Sequence, residues 1–486
     1  MTPEFDVLVV GFGPVGVTLS GLLARRGVRV LAVERDTDIF PLPRAAHLDS
    51  EVMRVLQDLG CADTVAAALT PNKGMDFLTA DRQVLLSMRS TGPTPSGWPS
   101  SNFFHQPGLE VPMREAAVAN GAELRLGTEV AAVTDRGDHV EVMLHDGSSV
   151  TAAFVVACDG ARSTVRRQLG ITMHDLEFEE PWLVLDLLLH EGTPEPTDVA
   201  LQVCDPARPH TVVPMPPPRF RFEFMLLPGE DPAHIASDEV ARSLLSSWID
   251  PAGLTIERSA VYTFHGLIAH EWRKGRVLLA GDAAHQMPPF LGQGMCSGIR
   301  DAANLAWKLA AVVHGTAAIE LLDTYQSERE PHVRAIVQSA VGFGRLICTT
   351  DAEVAADRDR NMLAARAAGG GNVGGSGGPP LPEGALVGAG GRMALQPTID
   401  GARLDDMVGA RFAVLLRSAA HADHQGLAFW TGLDAAVIDA DTLTAVGATL
   451  DDLAADAAVV RPDRYVLWCG ERLTAPEPAV AALLSR

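Results

Sequence analysis

At 486 residues, 47% hydrophobic and 21% charged, the chain is long enough for two or three domains with proper cores and has an ordinary soluble balance. Its formal net charge of −22 argues against nucleic acid or an anionic membrane surface as a partner. No apolar run reaches the ~18–20 residues of a membrane helix, and the start MTPEFDVLVVG has no signal-peptide pattern, so a cytoplasmic location is expected. Cys61, Cys158, Cys204, Cys296, Cys348 and Cys469 form no C-x-x-C or zinc-type spacing. They read as free thiols, and no metal site is expected.

In chain order, the apolar run Phe5–Val10 predicts a strand, and Val15, Leu19, Leu22 and Leu23 predict a helix ended by Gly27. Val28–Val33 is the next strand, closing at Glu34. This is a βαβ unit, hence a parallel sheet with a right-handed crossover. A helix around Glu110–Asn120 precedes strands at Glu129–Val133, Val140–Leu144 and Val150–Ala157, the last running into Asp159-Gly160. From Pro181 to about Thr263 the character changes, with strands predicted at Trp182–Leu189, Thr211–Met215 and Phe220–Leu227. Phe220, Phe222 and Phe224 alternate with Arg219, Arg221 and Glu223, the period of a strand with two unlike faces. This region reads as an inserted antiparallel sheet. A long helical stretch from Gly298 to about Cys348 is predicted to break near Gly315 and at Pro331. Residues 364–382, rich in Gly and Pro, read as a linker. In the last hundred residues Phe412–Leu416, Ala436–Ile438 and Arg464–Trp468 are predicted strands among alanine-rich helices.

Two segments carry chemistry. Gly11-Phe12-Gly13-Pro14-Val15-Gly16 follows a strand, opens a helix and is answered 18 residues on by Glu34. That is the dinucleotide-binding arrangement: the first glycine makes the turn, the second admits pyrophosphate, the third lets helix and strand pack, and Glu34 accepts from ribose hydroxyls. The second segment, residues 275–308, has a buried strand ending at Gly281-Asp282. A loop with Pro288-Pro289 and Gly292-x-Gly294 follows, then a helix with Ile299, Ala302, Ala303, Ala306 and Leu309 at helical spacing. The helix start presents free N–H groups and partial positive charge to that loop. A nicotinamide domain has no need of this second Asp-ended strand, whereas FAD, with its ribityl chain, does.

With Cys158-Asp159-Gly160-Ala161-Arg162-Ser163-Thr164-Val165-Arg166 between them, the three motifs stand in order, and the chain resembles the group A FAD-dependent aromatic hydroxylases, the para-hydroxybenzoate hydroxylase-like superfamily. PLPRAAHLDSEVMRVLQDLG at 41–60, RFEFMLLPGE at 221–230 and VYTFHGLIAHEWRKGRVLLAGDAAH at 261–285 resemble the 3-(3-hydroxyphenyl)propionate hydroxylase branch in particular. The resemblance implies an α/β fold: a Rossmann-like (GR2-type) FAD-binding domain over 1–175 and 269–363, an inserted antiparallel-sheet substrate domain over 176–268, a linker over 364–382 and a thioredoxin-like domain without C-x-x-C over 383–486.

The same resemblance implies FAD with NAD(P)H as co-substrate, and O2 and a small aromatic as partners. The reaction implied is hydroxylation of a phenol through a flavin C4a-hydroperoxide. It admits a homodimer. Asp282 falls to the ribityl chain, and Asp159 and Gly160 to FAD and NAD(P)H. Pro289, Gly292, Gly294 and Met295 fall beside the isoalloxazine, with Arg44 and Gln106 near the pyrophosphate and ribityl chain. Glu34, Arg35, Val130 and Gly281 complete the cofactor set. His47 is the candidate to bind the phenol hydroxyl and help remove its proton. Arg221 could pair with a substrate carboxylate or lie on a solvated face. Tyr262 and His265 are further pocket candidates, and His285 a structural residue. Hydroxylation of a polyketide or other aromatic natural product is the alternative, and an oxidase or reductase without hydroxylation a third reading.

Overall fold

The run FDVLVV forms a strand at Phe5–Val10 with both faces covered, as an unbroken apolar run in a parallel sheet requires. Val30–Val33 lies parallel on one side of it and Ser149–Ala157 on the other. Glu123–Arg125 extends the sheet beyond Val30–Val33, and Val277–Leu279 extends it beyond Ser149–Ala157, all in parallel. The hairpin Val130–Asp135/Val140–Leu144 is added antiparallel to Ser149–Ala157. The computed structural model describes residues 2–89, 94–374 and 378–485.

The order of this sheet decides where the motifs meet. The Gly11 N–H donates to the Val33 carbonyl at 2.8 Å, that of Cys158 to Val10 at 2.8 Å, and that of Ala280 to Ala157 at 3.0 Å. Gly11, Asp159 and Gly281 therefore stand side by side at the carboxyl ends of three neighbouring strands, where open α/β sheets bind ligands. Helices Pro14–Arg25 and Gly294–Val313 pack together beneath this edge, both starting there.

A nine-stranded sheet lies above. Its long strands Met173–Leu189 and Leu254–Ala269 pair antiparallel, and Arg219–Met225, His210–Pro214 and Ala200–Val203 follow in order. This departs from a contiguous antiparallel insert. Met75–Leu78 joins parallel to Ala200–Val203, Val84–Arg89 pairs with Met75–Leu78, and Asn372–Gly374, within the expected linker, is a parallel edge strand. These short strands gain their order from a neighbour distant in sequence, which no local pattern reveals. The helix Asp323–Ile347 also runs through Pro331 instead of stopping. Pro331 is exposed, so water can serve the carbonyl whose partner it removes.

The last unit is a four-stranded sheet ordered Ala436–Asp439, Ala413–Leu416, Ala457–Val460, Val466–Gly470, its first pair parallel and the rest antiparallel. Its core is continuous with the first domain, since Trp307 packs edge-on to Phe412 at 5.5 Å. Ion pairs seal the seam: Arg54 to Asp405 at 2.6 Å, and Arg461 to Glu328 at 2.9 Å. Among the described residues no helix is long and apolar enough to cross a membrane, and no cluster could hold a metal.

Candidate cofactor and substrate site

One cavity of about 720 Å³ runs from the carboxyl edge of the parallel sheet to the underside of the nine-stranded sheet. Gly13, Pro14 and Val15 form its wall at the first helix start. Gly11 is at φ +95°, and a Cβ there would lie 2.5 Å from the Cys158 carbonyl oxygen. A Cβ on Gly16 would strike the Gly11 carbonyl oxygen, whereas one on Gly13 would meet nothing within 4 Å. Gly11 and Gly16 thus close the turn, and Gly13 leaves room for a ligand.

The second motif braces the edge. Asp159 accepts from the N–H groups of Thr164 and Val165 at 2.8 and 3.2 Å. Arg166 donates to the carbonyls of Ala161 and Ala283, tying this turn to the third motif. The Gly281 N–H donates to Asp301 at 3.1 Å, and Asp301 also takes His285 at 2.7 Å and Arg329 at 2.9 Å. Burial is complete there, and the cations beside Asp301 hold its carboxyl below the ordinary range. Asp282, next along, faces the cavity. Its side chain is exposed to the cavity, and its depth in the protein pushes the carboxyl up, against the pull of His285 and Arg44.

Gln106 organises the opposite wall. Its Oε1 accepts from the N–H groups of Arg44 and Ala45 at 2.8 Å each, and its Nε2 donates to Glu110 at 2.8 Å. The Arg44 guanidinium lies 4.8 Å over the Phe40 ring, at the cavity wall. His47 lines the cavity beside the Gly292 loop, with Nδ1 3.2 Å from the Gly292 carbonyl and Nε2 2.7 Å from Ser101 Oγ. A carbonyl only accepts, so Nδ1 carries the proton and Nε2 accepts from Ser101. Ser101 Oγ in turn accepts from Asn72 Nδ2 at 2.9 Å. Burial pushes the His47 imidazole below its ordinary value, so it is neutral near pH 7.

A family model described as "FAD binding domain" matches residues 4–340. The chain is 42% identical to "Probable NADH-specific resorcinol 4-hydroxylase" of Rhodococcus jostii, over 75% of this chain and 69% of that protein. It is 34% identical to the "3-(3-hydroxy-phenyl)propionate/3-hydroxycinnamic acid hydroxylase" of Mycolicibacterium smegmatis, over 98% and 92%. The chain belongs to the FAD-dependent aromatic hydroxylases. Its fold matches a solved complex of aklavinone-11 hydroxylase with FAD and aklavinone at a TM-score of 0.80 and 25% identity, covering 99% of this chain and 98% of that one.

The hydroxylase's wall suits FAD: an open glycine at a helix start, an acid facing the cavity at Asp282, and a guanidinium at Arg44. Gly160, Pro289, Gly292, Gly294 and Met295 line the same cavity. Gly11, Gly16, Asp159 and Gly281 shape this edge without lining the cavity, and Glu34, Arg35 and Val130 do not line it either. Glu34 accepts from the Phe12 N–H at 2.7 Å and shapes the strand end, and Arg35 is exposed beside Asp36. Val130 starts a strand opposite Leu144, its side chain buried in the core.

Two substrate candidates are corrected. Arg221 is 4% exposed, and each of its three nitrogens makes a hydrogen bond. Nε donates to Asp186 at 2.8 Å, and the terminal nitrogens to the carbonyls of Arg44 at 2.9 Å and Pro43 at 2.6 Å. It is part of the cavity wall, where it fastens the Pro43–Arg44 segment to the sheet. Tyr262 is 39% exposed, its hydroxyl accepts from Arg258 at 3.3 Å, and the cavity is lined instead by Thr263, Phe264 and His265. The residues that sequence reasoning missed are Asn72, Ser101, Gln202, Thr211 and Glu223 in the cavity wall. For Glu223 the signal was available: the alternation that singled out Arg221 places both on one face.

Proposed function

We propose that the enzyme hydroxylates a single-ring phenol of the resorcinol or 3-(3-hydroxyphenyl)propionate kind, with NADH as electron donor. The observation that carries this reading is the shared cavity, in which Asp282 and the Gly292 loop, with the His47–Ser101 pair beside that loop, share one space with the sheet above. Bound FAD supplies the redox chemistry that takes electrons from NAD(P)H and activates O2 for transfer to the ring.

The chain's own residues do the rest. Asp282 accepts from ribityl hydroxyls, Arg44 faces the pyrophosphate, and the start of helix Gly294–Val313 favours negative charge beside the isoalloxazine. Asp159 and Arg166 keep the middle motif in register with the third. The phenol hydroxyl hydrogen-bonds to Ser101 Oγ, and its proton passes through that hydroxyl to His47 Nε2, which is neutral and oriented to take it. Phe264, Met287 and Phe343 keep water from the ring. The C-terminal unit is a thioredoxin-like sheet without C-x-x-C whose role is to cover and brace the first domain.

The test is a panel of phenols on the purified yellow protein, following NAD(P)H loss, H2O2 release and product mass. Expected is phenol-stimulated NADH oxidation with a product one oxygen heavier, and more H2O2 per NADH in His47→Ala. A panel in which no phenol stimulates oxidation or gains oxygen refutes it. Likeness to aklavinone-11 hydroxylase over nearly the whole chain supports a second reading, a polycyclic substrate, which the same panel separates by including polycyclic phenols.

A further inference from the structure

The strand Arg219–Met225 divides its side chains between two environments. Phe220, Phe222 and Phe224 enter an apolar cluster with Leu245 and Trp248. Glu223, on the other face, enters the cavity wall and is 6% exposed. A buried carboxyl normally takes at least one hydrogen bond. Glu223 takes none from any described residue, and its nearest cation, Arg221, stands 3.8 Å away with its donors turned to Asp186 and two carbonyls. Loss of water pushes its carboxyl up.

Its neighbours continue the pattern. Glu223 pairs in register with Thr211, and Thr211 with Gln202, so the three form a lateral row across three strands. All three line the cavity and are buried. The Thr211 hydroxyl donates to Gln202 Oε1 at 2.6 Å, which leaves the Thr211 oxygen as an acceptor. Gln202 Nε2 has only the Met75 sulfur, at 3.8 Å, leaving it donors to spare. The row gives Glu223 no hydrogen-bond donor, and the cation beside it, Arg221, is engaged chiefly with Asp186 and two carbonyls.

We propose that Glu223, with Thr211 and Gln202, is the specificity site for a second hydroxyl on the ring, so that the enzyme takes an uncharged dihydroxybenzene in preference to a phenol bearing a carboxylate. The inference rests on the phenol-hydroxylase reading above. A ring hydroxyl supplies the donor that Glu223 lacks and accepts from Gln202. A carboxylate there would face another carboxyl in a region removed from water, where like charges repel strongly.

The experiment compares resorcinol with 3-(3-hydroxyphenyl)propionate on the FAD-loaded full chain, reading Kd from the flavin spectrum and turnover from product mass. Wild type is expected to bind resorcinol at least tenfold more tightly. Glu223→Gln, which keeps the shape, should weaken resorcinol by about tenfold or more while leaving the arylpropionate unchanged or tighter. Thr211→Val, an isosteric loss of the acceptor, gives the same comparison if Glu223→Gln fails to hold FAD. Equal wild-type affinity for the two phenols, or resorcinol binding unmoved in the variants, overturns the specificity site and leaves the hydroxylase reading intact. No oxygen gained by any phenol overturns both.

Discussion

Arg221→Met is the perturbation that best separates a positioning residue from a substrate ligand. The wild-type guanidinium holds Asp186 and the carbonyls of Pro43 and Arg44 at 2.6–2.9 Å. Methionine fills much of the space and removes every donor. Asp186 keeps Arg258 at 2.6 Å, so the ~3–5 kcal/mol typical of an orphaned buried charge is not reached on that side. Two carbonyls remain bare, at roughly 1–3 kcal/mol each, giving about 3 kcal/mol in all. At roughly 2 °C per kcal/mol, holoprotein melting should fall by about 6 °C. The Pro43–Arg44 segment, released from the sheet, should also bind FAD more weakly. Melting is followed by flavin fluorescence and by circular dichroism, and retention by titrating apoprotein with FAD. The reasoning is refuted if melting and FAD affinity stay at wild-type values while only carboxylate-bearing phenols bind less tightly, because Arg221 would then be a substrate ligand.

Three further expectations concern the cofactor and pH. Asp282→Asn keeps the shape but loses the charged acceptor for the ribityl chain, so FAD should bind ~10–100-fold more weakly, read by fluorescence recovery on dilution. Gly11→Ala puts a Cβ 2.5 Å from the Cys158 carbonyl oxygen at φ +95°, and the protein should purify largely colourless; a fully yellow variant would contradict the close approach. His47, His210 and His332 are held below their ordinary value by burial. The unfolded chain therefore takes up protons near pH 6.5 that the folded one refuses, so their contribution is complete above that pH and is lost as pH falls toward the folded values. The raised carboxyls of Glu110, Glu180 and Glu223 act in the opposite sense, so the measurement is the difference from His332→Gln. Melting should drop less between pH 7.5 and 5.5 in that variant, and identical slopes would count against it.

The C-terminal unit reaches the site through hydrogen bonds and ion pairs. The Tyr465 hydroxyl donates to Glu51 at 2.7 Å, Glu51 and Asp49 each pair with Arg300 at 2.5 Å, and Arg300 donates to Gln293 beside the Gly292 loop. Tyr465→Phe should therefore weaken FAD or coupling several-fold with every cavity residue intact; unchanged H2O2 release per NADH would show the unit to be cover alone.

The amino-acid sequence by itself determined the cofactor. Gly11, Gly13, Gly16, Asp159, Gly281 and Asp282 are forced residue types at fixed places relative to strand ends, and such local constraints survive in a one-dimensional pattern. The strands Phe5–Val10 and Val140–Leu144 were legible for the same reason, as runs with a clear period. The strand Ala457–Val460 was not, because alanine beside alanine-rich helices carries no β signal until Ala413–Leu416 lies alongside.

Only the tertiary structure decided the substrate end. Arg221 and Glu223 look equivalent in the alternation, one charged residue two places from another. The fold gives Arg221 three hydrogen-bond partners at once, from Asp186 and a loop some 177 residues earlier, and leaves Glu223 no hydrogen bond, only a long ion pair to Arg221 at 3.8 Å at the cavity wall. Whether a charge is a brace or a ligand depends on which groups distant in sequence reach it first, and that is set by packing alone.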